Sequence, residues 1–146
     1  MSAMFWRSLV AVFLLAIASM GSGVAAAAEP RLAIKGYDPV AYFTESRPVQ
    51  GKPDFAFDWQ GARYQFASAA NRDLFVANPG RYAPQYAGYC AFGIANNVKA
   101  EVDPTQWSIA DGKLYLNYDR SVTEMMSKDF AGTVRQADQN WARMQN

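Results

Sequence analysis

Two short turns decide most of what this chain can become. Gln60-Gly61 and Asp111-Gly112 each stand between two runs rich in large apolar residues. Phe55-Ala56-Phe57-Asp58-Trp59 and Ala62 to Phe66 flank the first, and Trp107 to Ala110 and Lys113 to Tyr118 flank the second. Alternation of that kind around a two-residue turn ending in Gly is the signature of a β-hairpin, and Asp-Gly is the strongest such signal in the chain. A capping residue follows each hairpin. Ser68 opens a helix running to about Ala77, with Leu74 and Phe75 on its apolar side, and Asp119 opens a helical region that breaks near Ser127. Beyond the break, Phe130, Val134, Ala137 and Trp141 recur at helical spacing and form a stripe for docking onto a sheet. The expected fold is α+β, a small antiparallel sheet of two hairpins with helices packed on one face. Only a loose hairpin-then-helix similarity relates the two halves.

The connecting segments read as follows. Glu29 to Ile34 is a lead-in that could add an edge strand. Asp38 followed by Pro39 predicts one helical turn over Pro39 to Phe43, because Asp caps well and Pro suits the first helical position. Thr44 to Asp54 reads as a loop, and Asn78-Pro79-Gly80 as a firm helix stop. Asn96 to Pro104 is a polar surface loop. Between these two lies Tyr82 to Ala95, YAPQYAGYCAFGIA, with Pro84 expected to open a short helix reaching Phe92. This segment carries the only cysteine, Cys90, among Tyr82, Tyr86, Tyr89 and Phe92. The expected ligand pocket is lined by Cys90, Tyr86, Tyr89, Trp59 and Tyr64.

The first residues have the layout of a secretory signal. Arg7 supplies the positive charge, Leu9 to Ala18 the short apolar run, and Ala26 and Ala28 the small residues before a cut at Glu29. The run is shorter than the roughly 20 residues of a membrane span. The domain reading is therefore a signal peptide at 1–28 and one domain at 29–146, periplasmic or secreted, without stable membrane insertion after processing. Removing Arg7 leaves 13 basic residues against 13 acidic ones. A neutral chain without like-charge blocks argues against a nucleic-acid partner, which leaves an unknown small ligand, a metal or a periplasmic protein. Aromatic residues, at 14%, supply a core without disulfides. With no histidine in the chain, histidine-based catalysis is excluded, and the chain reads as non-enzymatic. The Asp residues at 38, 58, 103, 111 and 119 all fall at turns or caps, where Asp has a structural reason to be.

Several motifs together resemble the YHS-domain family, in its longer, exported, helix-extended form. They are GYDPVAYF at Gly36 to Phe43, W-x-G-x-R-Y-x-F-A-S at Trp59 to Ser68, and N-R-D-L-F-x-x-N-P-x-R-Y at Asn71 to Tyr82. PQYAGYCAFGIA and DGKLYLNY complete the set. The resemblance implies a binding or accessory module linked to metal, notably copper, or redox homeostasis. The cysteine positions of the short metal-handling modules fall here at Ala41, Ala67 and Asn71, none of which carries sulfur. The remaining soft donors are Cys90 and the methionines of the mature chain, Met125, Met126 and Met144. Thiolate plus thioether would suit Cu(I), with Cys90 as the metal ligand. The other reading is an interaction module whose aromatic pocket takes a peptide or small hydrophobic ligand.

Overall fold

A computed structural model describes Gly23 and residues 28–146, so the signal read at 1–28 lies almost wholly outside the described residues. The chain is α+β, with helices packed against small sheets. In the first half, strand β1 (Arg31–Leu32) leads through a 3₁₀ turn at Ala33–Gly36 into helix α1 (Pro39–Thr44). Strands β2 (Lys52–Trp59) and β3 (Ala62–Phe66) form the first hairpin, and helix α2 (Ala69–Ala77) follows. The second half runs through helix α3 (Pro79–Tyr82), a second 3₁₀ turn at Gln85–Gly88, and helix α4 (Ala91–Ala95). Strands β4 (Trp107–Ala110) and β5 (Lys113–Leu116), then helices α5 (Arg120–Ser127) and α6 (Phe130–Met144), complete it.

Both hairpins form where the sequence puts them. Gln60 and Gly61 have φ of 47° and 78°, and Asp111 and Gly112 have 50° and 71°. Left-handed backbone at both central residues matches the right-handed twist of the flanking strands. The hairpins do not share a sheet, however. β3 is the centre of a three-stranded sheet of order β1-β3-β2, and β4-β5 is a separate pair. The reason is local. β1 runs parallel to β3 and occupies the edge of β3 that faces away from β2. The corresponding stretch before the second turn is Ala83-Pro84, and Pro84 has no N–H to contribute to a ladder.

Two further expectations change. Pro79 does stop α2, but it also occupies the first turn of α3, where its missing N–H costs nothing. Pro84 does not open a helix. It is extended (φ −64°, ψ 152°), and Tyr86 and Ala87 then turn left-handed at φ 58° and 52°. Ile34 and Lys35 do the same in the first turn, at φ 53° and 51°.

These two turns reveal a repeat. Each ends in glycine at positive φ, Gly36 and Gly88, followed by a tyrosine and a residue that caps a short helix. Asp38 N–H donates to Val49 O, and Cys90 N–H donates to Ala100 O. The side chain of each cap accepts a backbone N–H from its own helix, Val40 for Asp38 and Gly93 for Cys90. Each also accepts one from the residue leaving the hairpin, Ala67 for Asp38 and Tyr118 for Cys90. Ser68 and Asp119 then cap α2 and α5 in turn. The same wiring is drawn twice, with a carboxylate at its centre in one half and a thiol in the other.

Two apolar clusters fill the interior, the first shared between the halves and the second under α6. In the first, Phe75 of α2 is fully buried beneath Phe57, Trp59, Tyr64 and Phe66, at ring-centroid distances of 4.9–6.1 Å. In the second, Tyr86, Ile94, Tyr115 and Met126 pack under α6 through Phe130, Val134, Ala137 and Trp141, the stripe expected from sequence. Buried Asn140 fixes the register of α6 by donating to Ile94 O and Ala95 O at the end of α4, where Ile94 O also accepts from Asn97 N–H.

Candidate functional site

Among the described residues, a cleft of about 590 Å³ lies where the first hairpin, the segment around Gln85 and the last helix meet. Trp59, Gln60 and Tyr64 come from the hairpin, Gln85 and Tyr86 from the second left-handed turn, and Trp141 and Gln145 from the end of α6. Each is placed by a feature already described. The Gln60-Gly61 turn puts Trp59 at the last position of β2, opposite Ala62. The left-handed turn directs the Tyr86 ring inward, where it is 4% exposed, and its hydroxyl donates to Asp138 Oδ1 at 2.8 Å. Asn140, beside Trp141, holds α6 in place.

The electrostatics of the cleft are simple. None of its lining residues carries a charge at neutral pH. Burial pushes the Tyr64 phenol up to about 12, against the opposing pull of Arg31. Burial, then the bond to Asp138, raises Tyr86 further. Both tyrosines are therefore neutral donors or packing surfaces at physiological pH, not bases. The cleft offers aromatic faces and side-chain amides, with no side chain poised for proton transfer or nucleophilic attack.

Of the residues expected to share a pocket, Trp59, Tyr64 and Tyr86 do. Tyr89 does not line it. Its ring lies beneath the Arg31 guanidinium at 3.8 Å and 6.2 Å from the Trp141 ring, so it backs the cleft wall. Arg31 also reaches Glu101 and the Ala87 carbonyl, tying β1 to the second turn. Cys90 is buried, 1% exposed, at the base of a separate apolar groove of about 340 Å³ beside Val98, Tyr118 and Val122. Trp141 and the three glutamines were not read from the sequence as site residues. Trp141 belongs to a helical docking stripe and reads as core, while isolated glutamines give no periodic signal.

The sulfur centre of the second half is already partnered. Cys90 Sγ accepts N–H from Gly93 and Tyr118, each at 3.3 Å, and its thiol donates to Asn117 Oδ1 at 3.6 Å. The other end of that amide donates to Met126 Sδ at 3.4 Å. A Cu(I) ion drawing on both sulfurs would have to displace the Asn117 side chain that engages each of them. Met125 points away and is exposed. Among the described residues, no three His, Cys, Asp or Glu side chains converge. The residues present do not fit the metal centre that the family resemblance implies. Comparison with family models, with curated proteins and with solved structures found no match to this chain.

Proposed function

We propose that this chain is a non-enzymatic binding module, exported by its N-terminal signal, that holds a small uncharged ligand in the aromatic cleft. The observation carrying this reading is the cleft itself. Its volume falls in the range of small-molecule sites, and aromatic walls with a few amide groups are the lining such sites use. A charged ligand would lose its hydration there and meet no charged residue in the lining. The ligand is thus uncharged, with both an apolar face and hydrogen-bonding groups. Kinship with the exported YHS-domain proteins rests on the motifs quoted above and fits a binding or accessory role in the periplasm or outside the cell.

The test is a ligand-observed NMR screen of matched neutral and charged ring fragments against the mature chain. Neutral fragments should bind, compete with one another, and be lost on Trp141→Ala. Hits confined to charged fragments, or untouched by Trp141→Ala, would sink the proposal.

A further inference from the structure

We infer that the ligand class of the cleft is a neutral saccharide. This rests on the binding reading above and narrows it. The first support is the pairing of surfaces. Trp59 and Trp141 bring indole rings, while Gln60, Gln85 and Gln145 bring primary amides to the same cleft. A pyranose ring is amphipathic in the matching way, with C–H groups on its faces and hydroxyls around its rim. Aromatic faces are electron-rich and suit those C–H groups. A carboxamide carries donor and acceptor side by side, which matches a pair of adjacent hydroxyls, each of them donor and acceptor as well.

The second support is what the cleft lacks. No lining residue is charged, which disfavours phosphorylated, carboxylated and amine ligands. A wholly apolar ligand would bury amide groups without partners, at a cost for each.

The third support concerns peptides, the main competing occupant. Extended peptides dock by adding a strand to a free sheet edge. β2 is an edge strand, but it enters the cleft only through its last residue, Trp59, next to the turn, and the facing segment contains Pro84, without an N–H. Polyproline ligands need a row of exposed aromatic ridges, whereas Tyr64 and Tyr86 are 1% and 4% exposed.

Isothermal titration calorimetry of the mature chain tests this. Neutral glucan, mannan, galactan and chitin oligosaccharides are the probes, with a hexuronate oligosaccharide and a proline-rich peptide as comparison arms. At least one neutral oligosaccharide should bind, and the Gln60→Ala/Gln145→Ala double variant should weaken it about tenfold. Both glutamines are exposed, so that variant keeps its fold, which circular dichroism verifies. Trp141→Ala should weaken the same binding further. Saccharide binding unchanged in the double variant, or tighter binding of the hexuronate, overturns the inference. Binding of the peptide alone, lost in Trp141→Ala, overturns the saccharide class and keeps the cleft as a binding site. Silence in every arm overturns the saccharide class, and with an empty fragment screen it overturns the binding reading too.

Discussion

Replacing Asp38 should damage this protein far more than replacing Cys90, although both hold the same place in the repeat. Asp38 is fully buried, and its carboxylate accepts from Val40 N at 2.8 Å, Ala67 N at 2.9 Å and Asn71 Nδ2 at 2.7 Å. Asp38→Ala leaves two backbone N–H groups and one amide without their acceptor. A lost helix cap costs about 1 kcal/mol, and each abandoned buried donor about 1–3 kcal/mol. Removing a buried carboxylate also removes its desolvation penalty, which offsets part of this. The net expectation is about 3–5 kcal/mol. At Cys90, two longer contacts to a weakly accepting sulfur, the weak thiol donation to Asn117 Oδ1 and a small volume are lost, for about 1–2 kcal/mol. Urea unfolding followed by far-UV circular dichroism reads both. With a slope of about 2 kcal/mol per molar, the midpoint should fall by about 2 M for Asp38→Ala and by less than about 1 M for Cys90→Ala. A Cys90→Ala loss equal to or greater than the Asp38→Ala loss would refute the reasoning, since it makes the thiol the stronger clamp.

Gly112→Val should cost on the order of 1–2 kcal/mol from backbone strain alone, because open space surrounds its missing Cβ while φ is +71°. Gly51→Ala should cost more, about 3 kcal/mol or above, since its Cβ would lie 2.6 Å from both the Gln65 backbone and Gly36 O. The reverse order in thermal melts would contradict these two assignments. At high pH, burial holds the Tyr42, Tyr64, Tyr86 and Tyr115 phenols above their ordinary value. Their folded-state protons are retained where the unfolded chain has lost them, so stability is full below pH 10 and falls as pH rises beyond it. Phenolate absorbance should therefore show these tyrosines titrating together with unfolding; smooth titration of all eight near pH 10 in the folded state would count against their burial. N-terminal sequencing of the protein recovered from the periplasm or medium should begin at or near Glu29, and Met1 or Ser2 there would reject cleavage.

The hairpins and helix caps were legible because each is specified within a few residues. Gln60-Gly61, Asp111-Gly112, Asp38, Ser68 and Asp119 state their own geometry. The left-handed turns were not legible. Ile34 and Tyr86 disfavour positive φ, and both are held there by burial in the core, a tertiary effect that local propensity does not encode. The separation into two sheets depended on β1 reaching β3, a pairing of a two-residue strand with distant sequence. For the site, sequence proximity misled. Tyr86, Tyr89 and Cys90 are near neighbours along the chain, yet the turn sends Tyr86 to the cleft, Tyr89 beneath Arg31 and Cys90 to another groove.

Helix α6 has no counterpart in the first half, and this asymmetry bears on motion. The second apolar cluster depends on α6 for its cover, whereas the first is closed by α2 on one side and reaches Leu114 and Leu116 of β5 on the other. Local opening that lifts α6 would expose Tyr86, Tyr115 and the end of α4 while leaving the first cluster intact. Amide hydrogen exchange should then show the α6-covered residues exchanging ahead of the shared cluster around Phe75. Because Trp141 and Gln145 reach the cleft from that same helix, an occupant gripping them would hold it down. Occupancy would then be readable far from the cleft, as slowed exchange along α4 and α6.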